Sequence, residues 1–158
     1  MSDQLPITVR GKKKLEEELK RLIHEERPSV IRAIEEARAQ GDLSENADYD
    51  AAKERQGWIE ARINEIQSRI AGAEVIDPSK IKSDRIVFGA TVKLLDMETD
   101  KEVEYNIVGP EEADVSNGYI SILSPLVRVL VGKKVGDVVE LSAAKAQKEY
   151  EVLGISFK

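Results

Sequence analysis

Four carboxylates lie within nine residues of the first half of the chain, in the segment DLSENADYD, with no lysine or arginine among them. They are Asp42, Glu45, Asp48 and Asp50. Asp42 and Glu45 are the candidates for chemistry, because neighbouring carboxylates supply oxygen ligands to Mg²⁺, while water and substrate phosphate complete its shell. Two exposed ligands bind such an ion weakly, so a second macromolecule would have to supply the rest.

The same two residues also have a structural interpretation. Asp42 and Glu45 are three positions apart, which is the spacing of a capping box at the start of a helix. Such a cap stabilises a helix by about 1 kcal/mol, and acidic groups there complement the helix dipole. Placement favours a chemical role, because like charges repel one another and stability does not require four of them together.

Other motifs for catalysis or metal binding are incomplete. Val131–Lys134 lacks the earlier glycine and the Ser or Thr of a phosphate-binding loop, and the acidic run lacks the glycine and final acid of an EF-hand. The only histidine, His24, lies in HEERP, which is neither a zinc motif nor part of a catalytic triad. With no cysteine to provide thiolate chemistry, the chain does not have the residues of a complete enzyme.

Apolar periodicity places the acidic run at the end of a helical hairpin. A first helix is expected from Gly11 to Gln40, about 43 Å long, with a kink or stutter near Pro28 where the apolar stripe shifts by one position. Gly41 is expected to end it. In a second helix, positions that are apolar except for one glutamine recur at alternating spacings of four and three. Two such stripes predict an antiparallel coiled coil that projects as an arm. These positions are Ala52, Gln56, Ile59, Ile63, Ile66, Ile70 and Ala73.

After Pro78 the pattern changes to a period of two with β-branched residues, which predicts strands. The expected strands are 86–95, 102–108, 119–123, 138–142 and 149–155. Ser124 is expected to cap a short helix, with Pro125 at its first position. The predicted fold class is α+β, with an antiparallel coiled-coil domain, a linker and a small α+β domain with an antiparallel sheet. The predicted boundaries are 1–76, 77–84 and 85–158.

Charge and hydropathy exclude several classes of protein. The 158 residues include 24 basic and 30 acidic ones, a net charge of −6. This balance argues against a protein that binds duplex DNA unaided, because phosphate neutralisation needs a basic face. No segment approaches the roughly 18 apolar residues of a membrane span, and the N-terminus has no signal-peptide core. We therefore expect a cytoplasmic protein with no membrane partner.

The segment GDLSENADYDAAKERQ, residues 41–56, resembles the coiled-coil tip of the bacterial GreA/GreB transcript cleavage factors, whose signature reads D-L-x-E-N-A-x-Y. The resemblance continues in order through PITVRGKKKLEEEL, AEVID, VFGATVKLLD and SPLVRVLVGKKVGD, so it spans essentially the whole chain. It implies that an FKBP-like C-terminal domain docks at the rim of the secondary channel of bacterial RNA polymerase. The coiled coil would then enter that channel.

The resemblance also implies a mechanism at the tip. Asp42 and Glu45 would help to hold a second Mg²⁺, shared with the polymerase active site and not bound tightly by the free protein. The chain would thereby stimulate the polymerase's own cleavage of backtracked nascent RNA and rescue arrested complexes, without being an enzyme itself. Asn46 and Tyr49 would orient the acidic pair or simply pack the turn.

Further roles carried over from the family concern the helix flanks and the docking domain. Arg38 and Lys53 would contact RNA phosphate or polymerase, and a solvated helix face is the alternative. Ser124, Pro125 and Arg128 match the docking motif, and a helix start with one exposed charge is the alternative.

The sequence departs from the family pattern at two places. Val127 stands where a small Gly or Ala is frequent, and AAKAQ, residues 143–147, replaces a Pro-Gly-Gly turn that is common before the last strand. We expect altered packing near the docking helix and an altered final hairpin.

Three other functions remain open at this point. An inhibitory relative that binds the channel without stimulating cleavage would also carry an acidic tip, although the D-L-x-E-N match disfavours it. A prolyl isomerase or peptide-binding module is suggested only by the FKBP-like resemblance, and the aromatic residues of that half are scattered along different strands. A coiled-coil adaptor would need none of the candidate residues for an activity.

Overall fold

The computed structural model describes residues 5–41, 46–143 and 146–158. These residues form two compact units. One is helical and comprises Lys12–Ala73, and the other contains the residues up to Gly11 together with Glu74–Lys158. None of the described helices is both long enough and apolar enough to cross a membrane.

The described residues of the helical unit belong mainly to three α-helices and one π-helical turn, and the first helix begins in the other unit. These elements are α1 (Val9–Arg21), the π turn (Leu22–Glu26), α2 (Arg27–Ala39) and α3 (Ala47–Gly72). Helices α2 and α3 pack antiparallel, since contacts join the end of α2 to the start of α3 and the start of α2 to the middle of α3. The predicted helical hairpin is therefore confirmed. Its seam consists of the buried residues Leu15, Leu22, Val30, Ile34, Ala37, Ala52, Ile59, Ile63 and Ile66.

The π turn keeps the apolar stripe in place across Pro28. The Arg27 N–H donates to the carbonyl of Leu22, five residues earlier, instead of four as in an α-helix. The buried residues Leu15 and Leu22 are seven positions apart, whereas Leu22 and Val30 are eight apart. The turn absorbs this additional residue just before the proline, which has no N–H to donate. It is the stutter that the sequence predicted.

Arginine–carboxylate pairs link α3 to the segments before it and fix the register of the hairpin. Two of the three pairs are bidentate, which adds geometric specificity to the attraction. In each pair the hydrogen bond from arginine is the main reason that the pKa of the glutamate lies below its ordinary value. The pairs are Arg62–Glu18, Arg27–Glu60 and Arg55–Glu26, all with N–O distances of 2.8 Å.

A five-stranded sheet with the order β5-β4-β3-β7-β6 forms the centre of the other unit. Its strands are β3 (Thr91–Asp96), β4 (Lys101–Val108), β5 (Tyr119–Ser121), β6 (Val138–Ala143) and β7 (Ala146–Ser156). The sheet is antiparallel as predicted, except that β4 and β5 pair in parallel. Helix α4 (Pro125–Leu130) contributes to the core on this sheet. The core comprises Ile86, Ala90, Val92, Leu94, Ile107, Ile120, Leu126, Val127, Leu130, Val139 and Val152.

A second, two-stranded sheet was not predicted. Strand β1 (Ile7–Thr8) pairs in parallel with β2 (Val75–Ile76). The whole helical unit lies between these strands in sequence, and each strand is only two residues long. This pairing groups the N-terminal residues with the sheet unit, whereas the sequence assigned residues 1–76 to the coiled coil.

The strand predicted for residues 86–95 begins later, at Thr91. The preceding residues Ile86 and Ala90 are fully buried, but they do not extend the strand. Gly89 has a φ of 92°, and the Ala90 N–H donates to the Val87 carbonyl in a turn. Burial alone therefore produced the strand-like pattern at these positions.

One of the two departures from the family pattern lies in the core, and the other lies partly outside the described residues. Val127 is fully buried in the core below α4, so its larger side chain packs inward. The final hairpin pairs Ala143 of β6 with Ala146 of β7, and residues 144–145 lie outside the described residues.

The lowered pKa values of the paired glutamates predict that acid weakens the hairpin. A carboxyl whose folded-state pKa lies below its unfolded value contributes stability at neutral pH and loses it as the pH falls through the folded value. The free energy of unfolding should therefore decrease as the pH falls from about 5 to about 3. Glu18→Gln should flatten this dependence and cost about 0.5 kcal/mol at neutral pH, because Arg62 loses a bidentate partner that is partly exposed.

Urea unfolding followed by far-ultraviolet circular dichroism at a series of pH values measures this effect. Glu17→Gln, at the neighbouring exposed position, is the matched control and should leave the pH dependence unchanged. Equal pH dependence in Glu18→Gln and the unmodified protein would contradict the assignment of acid sensitivity to this pair.

Candidate functional site

Helix α2 ends immediately before the acidic run. Gln40 is the C-cap, and Gly41 follows with a φ of 112° while its N–H donates to the Arg38 carbonyl at 3.2 Å. A left-handed glycine at this position is the usual way to end a helix, as the sequence predicted. No atom lies within 4 Å of the position that a Cβ would occupy on Gly41. The backbone conformation alone therefore favours glycine here.

Asn46 joins the two helix ends through both atoms of its side-chain amide. Its Oδ1 accepts the backbone N–H of Tyr49 at 3.0 Å, which caps α3. Its Nδ2 donates to the carbonyl oxygen of Ala37, in the last turn of α2, at 2.7 Å. One side chain thus satisfies a terminal donor of one helix and a terminal acceptor of the other.

The N-cap of α3 is Asn46 and not Asp42. The sequence assigned the cap to Asp42 with Glu45 three residues later, but α3 begins at Ala47 and Asn46 is its N-cap. Aspartate and asparagine are equally good N-caps, so residue type alone did not distinguish the two positions.

Asp42 and Glu45 themselves lie outside the described residues, between Gly41 and Asn46. Their predicted metal-binding role stays a prediction. Among residues 5–41, 46–143 and 146–158, no group of three or more His, Asp or Glu side chains could hold a metal ion.

The other two acidic residues of the run lie in the first turn of α3. Asp48 and Asp50 are both exposed and are the second and fourth residues of that helix. A helix N-terminus carries partial positive charge, so these two carboxylates stabilise the helix start. Tyr49 lies between them with a half-buried side chain, and its N–H is the donor to Asn46.

The two cations predicted to contact RNA or polymerase are exposed on the hairpin. Arg38 is in the last turn of α2, and Lys53 is in the second turn of α3. The Lys53 Nζ lies 3.2 Å from the side-chain oxygen of Gln56. No described carboxylate pairs with Arg38. Both positive charges therefore face solvent near the acidic run.

A shallow groove of about 360 Å³ lies between the two helices near the turn, and the sequence analysis did not identify it. Small residues create this space, because alanines on both helices leave room that larger side chains would fill. Neither Arg38 nor Lys53 lines it. The lining residues are Ala33, Glu36, Ala37, Gln40, Asp48, Ala51, Ala52 and Arg55.

Helix α4 presents the residues predicted to dock the protein. Pro125 is its first residue and Ser124 its N-cap, as expected, but the Ser124 hydroxyl makes no capping hydrogen bond. Arg128 is exposed, whereas three neighbours on the helix point into the core. The buried neighbours are Leu126, Val127 and Leu130.

Next to Arg128 lies a groove of about 350 Å³ that the sequence analysis also missed. Two exposed valines, Val131 and Val138, combine there with the cationic side chains of Arg128 and Lys133. Apolar surface with a charged rim is typical of protein–protein interfaces. In the sequence, the signal for this groove is Val138, an apolar residue at the start of β6 that is exposed in the structure. The full lining is Arg128, Val129, Val131, Lys133, Val138, Val139 and Glu140.

Comparison with known proteins identifies relatives over nearly the whole chain. Residues 5–75 match the family described as "Transcription elongation factor, N-terminal", and residues 81–157 match "Transcription elongation factor, GreA/GreB, C-term". A protein of Thermodesulfovibrio yellowstonii named Transcription elongation factor GreA is 53% identical over 158 residues, covering 100% of both chains. One of the same name from Ralstonia nicotianae is 57% identical over 154 residues, 97% of this chain and 98% of that protein. The crystal structure of GreA factor homolog 1 (Gfh1) of Thermus thermophilus is 27% identical, with coverage of 96% and 98% and a TM-score of 0.44.

The two hydrogen bonds of Asn46 make separable predictions. Asn46→Ala removes both and should lower the free energy of unfolding of the hairpin by about 1–2 kcal/mol. Asn46→Ser keeps an acceptor for the Tyr49 N–H but is too short to donate to the Ala37 carbonyl, so it should cost less than Asn46→Ala. Chemical denaturation followed by circular dichroism measures both effects.

Asn64→Ala is the matched control, because it removes the same side chain from an exposed position in the middle of α3. It should not destabilise the helix, since alanine has the higher helix propensity. If Asn46→Ala costs no more than Asn64→Ala, then Asn46 does not hold the helix ends together.

Proposed function

The chain belongs to the GreA/GreB family of transcription elongation factors, and we propose on this premise that it stimulates transcript cleavage by bacterial RNA polymerase. In this proposal the acidic turn of the hairpin enters the secondary channel, while the α4 surface docks at the rim. The polymerase cleaves its own backtracked RNA, and a new 3′ end allows elongation to resume. The chain acts as a cytoplasmic factor and the polymerase as the enzyme.

The observation that carries this proposal is the capping of α3 by Asn46. It explains how the helix begins without Asp42 or Glu45. These two carboxylates belong to a run of four acids, and the other two have a structural role in the first turn of α3. A role in cation binding accounts for two further acids at this turn.

The donor set fits Mg²⁺. Mg²⁺ prefers oxygen ligands and commonly takes only one or two protein carboxylates, so Asp42 and Glu45 would hold it together with polymerase residues, water and RNA phosphate. When bound beside the polymerase's own ion, it would stabilise charge on the attacking and leaving oxygens of the phosphodiester. The free protein would bind it weakly, because two exposed carboxylates leave most of its shell to other ligands.

The remaining residues of the tip support this role by holding the chain and by contacting the nucleic acid. Gly41 and Asn46 fix the backbone on either side of the acidic pair through the hydrogen bonds described above. Arg38 and Lys53 are exposed cations, and phosphate oxygens of RNA are suitable partners for such groups. Contact with polymerase is the alternative for both.

Neutralising the acidic pair should abolish the activity. Asp42→Asn and Glu45→Gln should each reduce cleavage of RNA in a backtracked elongation complex by at least about 100-fold, because each removes a metal ligand that works only with its partner. Binding to polymerase should remain nearly unchanged. Gel analysis of RNA labelled at the 5′ end measures shortening, and Asp50→Asn is the control with the same loss of charge and an expected activity close to that of the unmodified protein.

The other outcomes of this assay have different meanings. Synthesis that is blocked without shortening of the RNA would identify an inhibitory channel-binding relative. Full cleavage by both Asp42→Asn and Glu45→Gln would exclude the proposed mechanism. An equal loss in Asp50→Asn would assign the effect to overall charge instead of to two specific ligands.

The α4 surface makes a separate prediction. Arg128→Glu should raise the concentration of factor that gives half-maximal cleavage by about tenfold, because it reverses the charge beside the apolar groove. The maximal rate at saturating factor should stay close to that of the unmodified protein. Lys101→Glu makes the same charge change at an exposed position on β4 and should have no effect. Equal effects of both variants would show that net charge, and not this surface, determines binding.

A further inference from the structure

Glu112 is a buried acidic residue that the proposed function does not use. It ends the short 3₁₀ turn Pro110–Glu112 and is only 2% exposed. Its carboxylate accepts a hydrogen bond from the Thr8 hydroxyl and one of 2.6 Å from Arg10 Nη1. A buried carboxylate is costly unless it is paired and hydrogen-bonded, so these two partners account for its burial.

Both partners belong to the start of α1. Thr8 directly precedes that helix, and its Oγ1 accepts the N–H of Gly11 at 2.9 Å, which is an N-capping hydrogen bond. The first turn of α1 contains no acidic residue. Glu112, which is 104 residues away from Thr8 in sequence, therefore supplies the negative charge that a helix N-terminus favours.

The carboxylate fits closely against this helix start. A Cβ on Gly11 would lie 2.9 Å from the Glu112 carboxyl carbon, so glycine is what allows this approach. The guanidinium of Arg10 also lies 4.0 Å from the centre of the Tyr119 ring, which holds it over the sheet unit. The helix start is thus held by a carboxylate, a hydroxyl and an aromatic ring.

We propose that Glu112 is a positioning residue for transcript cleavage, because it holds the first turn of α1 in one conformation. This inference rests on the proposed function. Helix α1 continues from Arg21 through the π turn into α2, and α2 ends shortly before Asp42 and Glu45 in the sequence. A helix start that loses its cap and its carboxylate frays, and the helix then samples several conformations. A smaller fraction of the polymerase-bound factor has its tip engaged as a result.

The test compares full-length variants by their cleavage rate as a function of factor concentration. Glu112→Ala should lower the maximal rate about tenfold and change the half-saturating concentration by less than about twofold, since docking is assigned to α4. Glu112→Gln should lower the maximal rate by less than Glu112→Ala does. Its amide oxygen still accepts from Thr8 but carries no charge for Arg10. Glu98→Gln, in the exposed turn after β3, is the charge-matched control and should behave like the unmodified protein.

Two further variants separate positioning from a loss of folded protein. Thr8→Val removes the hydroxyl and should reproduce Glu112→Ala, whereas Thr8→Ser keeps it and should restore most of the activity. A variant that is merely unfolded in part has fewer active molecules, which raises the half-saturating concentration but leaves the maximal rate intact. Hydrogen exchange at the Gly11 amide should be faster in Glu112→Ala, while amides in the middle of α3 should be unaffected.

Each remaining outcome has a definite meaning. An unchanged maximal rate in Glu112→Ala and Thr8→Val, with an active unmodified protein, would overturn the inference and leave the proposed function intact. If Glu112→Ala does not fold, Glu112→Gln carries the same comparison with an expected decrease of about threefold. If the unmodified protein does not shorten RNA, the proposed function and the role in cleavage both fail, and hydrogen exchange at Gly11 still decides whether Glu112 holds the helix start.

Discussion

The hairpin depends on one constraint, which is that the apolar stripe must face α3 on both sides of Pro28. Each residue turns an α-helix by about 100°, so one uncompensated residue would rotate Val30 and Ile34 away from α3. The π turn Leu22–Glu26 absorbs that residue, and both side chains are buried. The Ala37 carbonyl, which accepts the hydrogen bond from Asn46, lies about three turns beyond the π turn. Its position beside the start of α3 therefore also depends on the π turn.

The acidic run combines structural and chemical demands within nine residues. Asp48 and Asp50 stabilise the start of α3 through its dipole, and Asn46 provides the cap. These three residues lie at the start of the helix. Asp42 and Glu45 precede this start in the sequence, and their neutralisation leaves the Asn46 cap in place, so it tests the proposed function with little expected change in stability.

The sequence correctly predicted structural features that depend on neighbouring residues. It did not predict those that depend on contacts between segments distant in the chain. The stripe, the stutter at Pro28 and the ending at Gly41 are local patterns, and all three were predicted correctly. The N-cap was misplaced because Asp42 and Asn46 have equal capping propensity. The β1–β2 pair and the burial of Glu112 were missed because their partners lie far away in the chain, 104 residues for Glu112 and Thr8. The position of Asp42 and Glu45, outside the described residues, leaves their pairing a prediction from sequence.

The pairing of arginines explains how a modest net charge of −6 coexists with a strongly acidic turn. Arg27, Arg55 and Arg62 each bind a glutamate of the hairpin, so they contribute little positive potential beyond their own partners. Within the acidic run itself there is no lysine or arginine. Two like charges 4 Å apart repel by about 1 kcal/mol in water, and a divalent cation between carboxylates offsets several such repulsions at once. In the proposed mechanism this acidic turn holds a cation together with a partner protein, because two carboxylates are too few to retain that cation alone.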